Sequence, residues 1–260
     1  MELGLRGRSA LITGGSKGIG LSVARFLAAE GCNLHLVARS PADLDAARAD
    51  IIGRHGVSVT VHPMDLAERG RAAELAVRCP GIDILVNNAG STPRGTIEEI
   101  DEDRLRKSFD LKVYGYINMS REFYRLMKAR RSGVIINIIG NGGECLDAGY
   151  IAGATGNAAL MAFTRALGGS SAEVGVRVVG VNPGPVATER LVGLMQKEAM
   201  TRFGDISRWR EFERSYPFGR AARVEEIAAT VTLLASDLSS YTTGTIVTID
   251  GGMTNRGSLI

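Results

Sequence analysis

The sequence predicts an α/β fold: a doubly wound sheet of seven parallel strands with helices on both faces, built as a single domain over residues 1–260. Three observations carry this. Seven short runs rich in Val and Ile are each bounded by Gly, Pro, Asn or Asp. Stretches of helical length and amphipathic spacing separate most of them. The runs are apolar almost throughout rather than alternating, which is the pattern of strands covered on both faces by crossover helices. Right-handed crossovers then wind the chain in both directions from the first strand.

The elements follow in order. The first strand spans Arg8–Thr13 and passes through a glycine turn into a helix over Gly18–Glu30. The second strand, Asn33–Ala38, leads into a helix over Pro41–His55, where Pro41 suits a first turn because its missing N–H would be unpaired there anyway. A third strand, Val57–Val61, precedes a helix over Ala67–Cys79, and Asp83–Asn87 is the fourth strand. The pattern then predicts one long helix, Asp101–Arg130, a strand at Gly133–Ile139, and a helix over Ala152–Glu173. The sixth strand is Val176–Val181, and a helix at Val224–Ser236 and a strand at Thr245–Ile249 close the fold. Residues 189–220 break the alternation. They interleave Phe203, Trp209, Phe212, Tyr216 and Phe218 with Arg202, Arg208, Arg210 and Arg214. An excursion of this length is the usual form of a substrate lid, and its arginines point to an anionic substrate; a solvated helix with one apolar face is the alternative.

The chain has 260 residues, 45% of them apolar and 23% charged, with a net charge of +3. That composition excludes disorder and provides for a full core. The charge is too small and too dispersed for a nucleic-acid partner. No uncharged apolar run reaches the length of a membrane span, so no membrane partner is expected. The opening MELGLRGRSALITGG carries charge and no signal-like apolar core, so a cytoplasmic location is expected. Cys32, Cys79 and Cys145 have no ligand-like spacing and read as buried thiols. His35, His55 and His62 receive no catalytic role, and no metal is expected. Only five of the 31 basic residues are lysine: Lys17, Lys107, Lys112, Lys128 and Lys197.

Function is most legible after the first strand. Gly14, Ser16, Lys17, Gly18, Ile19 and Gly20 form a glycine turn that opens a helix. Glycines let the backbone approach a pyrophosphate, and the helix start offers free N–H groups at the positive end of its dipole. The second strand ends at Ala38 and Arg39 rather than at an acidic residue. A carboxylate there would hold the ribose hydroxyls of NAD; a guanidinium instead clamps a 2′-phosphate. With Lys17 as a second nearby cation, NADP(H) is the preferred cofactor and NAD(H) the alternative.

TGGSKGIG at residues 13–20, NNAG at 87–90, NPGPVAT at 182–188 and TGTIVTIDGG at 243–252 occur in this order. Together they resemble the classical short-chain dehydrogenase/reductase family over essentially the whole chain. The resemblance implies a Rossmann fold with NAD(P), and a small-molecule carbonyl or alcohol substrate. It places Asp65 and Leu66 near the adenine, and Asn88, Ala89 and Gly90 along the middle of the cofactor. It adds Pro183, Gly184, Val186 and Thr188 after the sixth strand, with Thr188 on the nicotinamide carboxamide. It also implies a homodimer or homotetramer.

The family's proton chemistry rests on a Tyr, a Lys four residues later, a Ser about 13 residues before the Tyr, and an Asn on the long preceding helix. Anchored on the flanking segment Ala158–Leu167, Asn157 takes the Lys place and Gly153 the Tyr place. The end of the fifth strand puts Gly140 in the Ser place, and Lys112-Val113-Tyr114-Gly115 puts Lys112 in the Asn place. A second alignment makes Tyr150 the family Tyr, with three residues inserted after it. Three readings stay open. Lys112, Tyr150 and Asn157 form a replacement site; the chain binds dinucleotide without hydride transfer; or transfer proceeds to substrates that need little acid assistance.

Overall fold

The structure is a computed structural model in which residues 2–256 are described. Seven strands form one parallel sheet in the order β3-β2-β1-β4-β5-β6-β7. They are β1 Ser9–Thr13, β2 Asn33–Ala38, β3 Val59–Pro63, β4 Ile84–Asn87, β5 Gly133–Ile138, β6 Val176–Pro183 and β7 Ile246–Ile249. The order reverses between β1 and β4, so a crevice opens at their carboxyl ends. β3 lies two residues later than the sequence pattern places it, because Leu34 and Ala38 of β2 pair with Val59 and Pro63.

Apolar residues cover both faces, as the unbroken Val and Ile runs require. One face packs Ile12, Leu36, Val86 and Ile136 against Val23, Leu27, Ile227 and Val231. These last four lie on the helices α1 Gly18–Ala29 and α8 Val224–Ala235. The other face packs Leu11, Leu85 and Ile135 against Leu75, Met119, Phe123 and Met127.

Helix starts follow local chemistry. The helix α2 Pro41–His55 is capped by Ser40 Oγ, which accepts from Asp43 N–H, and Gly56 ends it in a left-handed conformation. The short helix α3 is Arg71–Arg78. The single long helix of the sequence reading is interrupted. α4 Glu102–Phe109 and α5 Gly115–Arg130 flank a π-helical turn at Asp110–Tyr114. A π turn inserts one residue into the helical phase and is common at functional sites; Lys112 sits inside it. α6 Ile151–Ser171 runs beside β6. In the segment that breaks the alternation, α7 Glu189–Phe203 is followed by a 3₁₀ stretch at Ile206–Ser215.

Candidate active site

The crevice at the β1–β4 reversal holds a cleft of about 640 Å³. Gly14, Ser16, Lys17, Arg39, Asp65, Leu66, Ala89 and Gly90 line it, eight of the positions the sequence nominates. Val37, Ala38, Ser40, Asp43, Met64, Ser91 and Leu111 line it as well, and sequence reasoning missed all but Ala38.

The glycine turn has no room for side chains. A Cβ on Gly20 would lie 2.2 Å from the Gly14 carbonyl oxygen, and one on Gly14 would lie 2.8 Å from Asn88 Nδ2. Asn88 Nδ2 donates to the carbonyls of Thr13 and Gly14, at 2.9 and 3.2 Å. Thr13 Oγ1 accepts from the N–H groups of Asn88 and Ala89, at 2.8 and 3.0 Å. The Asn88 side chain therefore braces the turn from below. Lys17, at the N-cap of α1, contributes no side-chain cap, so the first N–H groups of the helix stay open toward the cleft. An open helix start and a glycine backbone fit a dinucleotide's pyrophosphate. Thr188 Cγ2 would lie 3.3 Å from a Cβ on Gly18, which brings the start of α7 against this turn. Its hydroxyl accepts from Leu191 N–H and caps α7.

The two cations at the far end differ. Lys17 Nζ lies 3.0 Å from Asp43 Oδ2, and that contact raises the lysine pKa and lowers that of the carboxylate. The pairing largely cancels the second charge expected from Lys17. Arg39 has no ion-pair partner among the described residues and lines the cleft.

Lys112 is only 7% exposed. Its Nζ donates to the carbonyls of Ile138 and Ile139 at 3.0 and 2.9 Å, and to Tyr116 Oη at 3.1 Å. Both carbonyls are orphans of the sheet. Ile139 N–H donates to Val181. The next donor in that parallel ladder would be residue 183, and Pro183 has no N–H. On the other side the ladder would offer Ala89 N–H to Ile138, but Thr13 Oγ1 already takes it. Lys112 and Tyr116 Oη, which donates to Ile138 O at 2.8 Å, fill both vacant acceptors. Burial, with a smaller effect from Arg190, pushes the Lys112 pKa down to about 7. Burial raises that of Tyr116.

Asn157 is 4% exposed and faces the same strand end. Its Nδ2 would lie 3.1 Å from a Cβ on Gly140, the residue after Ile139. Gly140 has φ +125°, a conformation a side-chain-bearing residue rarely adopts. Lys112 and Asn157 thus approach the Ile139–Gly140 peptide from opposite helices.

Tyr150 is folded over Gly153. A Cβ on Gly153 would lie 2.0 Å from Tyr150 Cζ, so the ring fills the volume that a residue-153 side chain would claim. The Tyr150 hydroxyl is hydrogen-bonded to Thr92 Oγ1. The Thr92 carbonyl accepts from Arg190 at 3.0 Å, and Arg94 lies over the Tyr150 ring at 5.7 Å while pairing with Asp147. Nothing in the sequence marks Thr92; its place follows from the bridge between Gly95 and Tyr150.

A family model described as enoyl-(acyl carrier protein) reductase matches residues 14–254. Galactitol 2-dehydrogenase (L-tagatose-forming) of Cereibacter sphaeroides is 33% identical over 252 residues, covering 96% of each chain. The chain belongs to the short-chain dehydrogenase/reductase family. Among solved structures, L-sorbose reductase from Gluconobacter frateurii, complexed with NADPH and L-sorbose, superposes with a TM-score of 0.93 at 28% identity. It covers 99% of this chain and 100% of that one. A short-chain dehydrogenase/reductase family protein superposes at 0.84 with 34% identity, covering 98% of this chain and 100% of that one.

One expectation, that all three cysteines are buried, needs correction within this short-chain dehydrogenase/reductase chain. Cys145 is exposed, whereas Cys32 and Cys79 are buried. Within residues 189–220, Arg202 and Arg208 are paired with Glu198 and Glu211 and stacked on Phe212 and Phe203, whereas Arg210 and Arg214 have no ion-pair partner among the described residues. The nitrogen and sulfur atoms of His35, His62 and Cys79 lie within 4.8 Å of one another, although their sequence spacing hides it. Pro183, Gly184 and Val186 sit at and just beyond the end of β6, where a Cβ on Gly184 would lie 2.8 Å from Asp250 Cβ. Among the described residues, no helix is long and apolar enough to cross a membrane.

Proposed function

We propose that this chain is an NAD(P)-dependent oxidoreductase that interconverts a small-molecule carbonyl and its alcohol, with NADP(H) preferred and with an atypical proton-transfer site. The single observation that carries this is the convergence of Lys112 Nζ and the Asn157 amide on the Ile139–Gly140 peptide. Lys112, held there by three acceptors above a dinucleotide cleft, keeps a titratable group beside the site.

The cofactor residues are Gly14, Ser16, Lys17, Gly18, Ile19 and Gly20 at the pyrophosphate, Arg39 at the 2′-phosphate, and Asp65 and Leu66 at the adenine. Ala89, Gly90 and Thr188 line the nicotinamide side, with Asn88 beneath. A nicotinamide dinucleotide supplies or accepts the hydride when bound. Everything else falls to the chain. In register with the family, glycines stand where the Ser and Tyr would be, Asn157 stands in the Lys place and Lys112 in the Asn place. Tyr150, reaching back over Gly153, holds the proton that a carbonyl oxygen receives, and Thr92 orients its hydroxyl. Lys112 holds a proton that exchanges near neutral pH. Asn157, whose amide has no protein hydrogen-bond partner among the described residues, positions substrate or water. Arg190 at the Tyr150 side, with no carboxylate partner among the described residues, favours a substrate with an anionic group, and residues 189–220 cover it.

The test separates binding from turnover. NADPH and NADH are titrated by fluorescence, and absorbance is then followed with a panel of keto sugars, oxo acids and alcohols. Turnover is expected with at least one substrate, falling about 10²-fold or more in Tyr150→Phe with NADPH binding retained. Tight binding without turnover across the panel would instead favour a catalytically silent dinucleotide sensor or scaffold.

A further inference from the structure

We propose that His35, His62 and Cys79 form a binding site for one zinc-like cation on the sheet face behind the dinucleotide cleft, linking β2, the edge strand β3 and the end of α3. The topology assembles it. In the β2–β3 register His35 pairs with Thr60 and Val37 with His62, so the two histidines are diagonal neighbours two residues apart. With a pleat period of two, their side chains share one face. Cys79 is the C-cap of α3, and Leu75 and Ala76 of that helix pack on the same face.

The donor atoms already crowd together. His35 Nδ1 and His62 Nε2 are 3.0 Å apart in a hydrogen bond, and the set with Cys79 Sγ spans no more than 4.8 Å. A tetrahedral zinc ion with metal–nitrogen distances of about 2.0–2.1 Å and a metal–sulfur distance of about 2.3 Å needs its ligand atoms about 3.3–3.6 Å apart. The pair must open slightly, and the sulfur, within 4.8 Å of both nitrogens, must close by at most about an ångström. Cys79, at the helix end, donates its thiol to Leu75 O, a bond that deprotonation on metal binding gives up. A two-imidazole, one-thiolate set suits a borderline-soft cation and leaves the fourth position to water.

The chemistry of the donors agrees with this. Burial lowers the pKa of both imidazoles, His62 to about 4, so both keep a lone pair for a metal at neutral pH. Burial pushes the Cys79 thiol up to about 11, so binding must expel its proton. The charged neighbour is Arg78, which is ion-paired with Glu74 on the same helix and so opposes a cation only weakly. The bound ion would fasten an edge strand that is otherwise held by one neighbour, beside the strand tip that carries Arg39.

The experiment uses the full chain in a Cys145→Ser background, which removes the exposed thiol. Zn²⁺ is titrated against a chromophoric chelator, and Co²⁺ is added separately to read thiolate-to-metal charge transfer. One equivalent of Zn²⁺ should compete with the chelator and raise the melting temperature. His62→Gln and Cys79→Ser should each weaken binding by at least about tenfold, and Cys79→Ser should remove the charge-transfer band. Far-ultraviolet circular dichroism of both variants reports whether the fold is kept. Failure of the parent to bind one equivalent, or equal binding by the double variant His62→Gln/Cys79→Ser, overturns the proposal and leaves a hydrogen-bonded imidazole pair in the core. Neither result depends on hydride-transfer activity.

Discussion

Lys112→Met is the most informative substitution, because its effects on stability and on turnover should point in opposite directions. The Lys112 ammonium is buried, and its pKa falls from 10.5 to about 7. At about 1.36 kcal/mol per pKa unit, holding that charge costs about 5 kcal/mol relative to an exposed lysine. Methionine has nearly the same volume and no charge, so it relieves this cost. Against it, Ile139 O loses its donor, worth about 1–3 kcal/mol, while Ile138 O keeps Tyr116. The balance predicts a variant more stable than the parent at pH 7 by about 2–4 kcal/mol. The sign of the pH dependence is fixed as well. Between about 7 and 10.5 the unfolded chain holds a proton that the folded chain does not, so parental stability rises with pH across that window, and the variant loses this slope. Turnover should move the other way. kcat should fall by about 10²–10⁴, and the inflection near pH 7 in kcat/KM should vanish. Urea unfolding from pH 6 to 9 and a pH–rate profile with NADPH and the best substrate provide the two readouts. A stable variant with unchanged kcat and an unchanged profile would refute the role of Lys112 in proton transfer and leave it as a filler of orphaned carbonyls.

Gly153→Ala places a methyl where Tyr150 Cζ lies, 2.0 Å away, so the ring must leave. Activity should drop at least tenfold while dinucleotide affinity, measured by fluorescence, stays within about twofold; unchanged activity would show that the placement of Tyr150 is irrelevant to catalysis. Arg39→Asp should turn the ratio of NADPH to NADH dissociation constants toward NADH by about 10²-fold, since it replaces a phosphate clamp by a ribose acceptor; an unmoved ratio would remove Arg39 from phosphate reading. Glu226, held by Arg220 and by the Arg223 N–H at the start of α8, has its pKa lowered to about 2. Its stabilisation is present above pH 4.5 and is lost as pH falls toward 2. Because the group is about a third exposed, Glu226→Gln should cost about 1 kcal/mol at pH 7 and almost nothing at pH 2, by thermal unfolding.

The fold was legible because its signal is local. Short Val- and Ile-rich runs bounded by turn residues read as buried strands, and the turn at 14–20 identifies itself by glycines such as Gly14 and Gly20, where a side chain would clash. Arg39 at the tip of β2 was legible for the same reason, since its place depends on a strand end. The pairing of Lys17 with Asp43 was not, because it needs the start of α2 to come back to the turn. The long helix concealed its π turn, since periodicity over Asp101–Arg130 averages out one inserted residue.

The amino-acid order by itself determined the strands, the helices between them and the glycine turn, because each follows from residues a few positions apart. Only tertiary structure decided what Lys112 touches. That contact exists because Pro183 has no N–H to give and Thr13 has already claimed that of Ala89, two facts from strands distant in the chain. The same holds for His35, His62 and Cys79. Spacings of 27 and 17 residues carry no ligand pattern, and it is strand register and a helix end that bring three donors within reach of one ion.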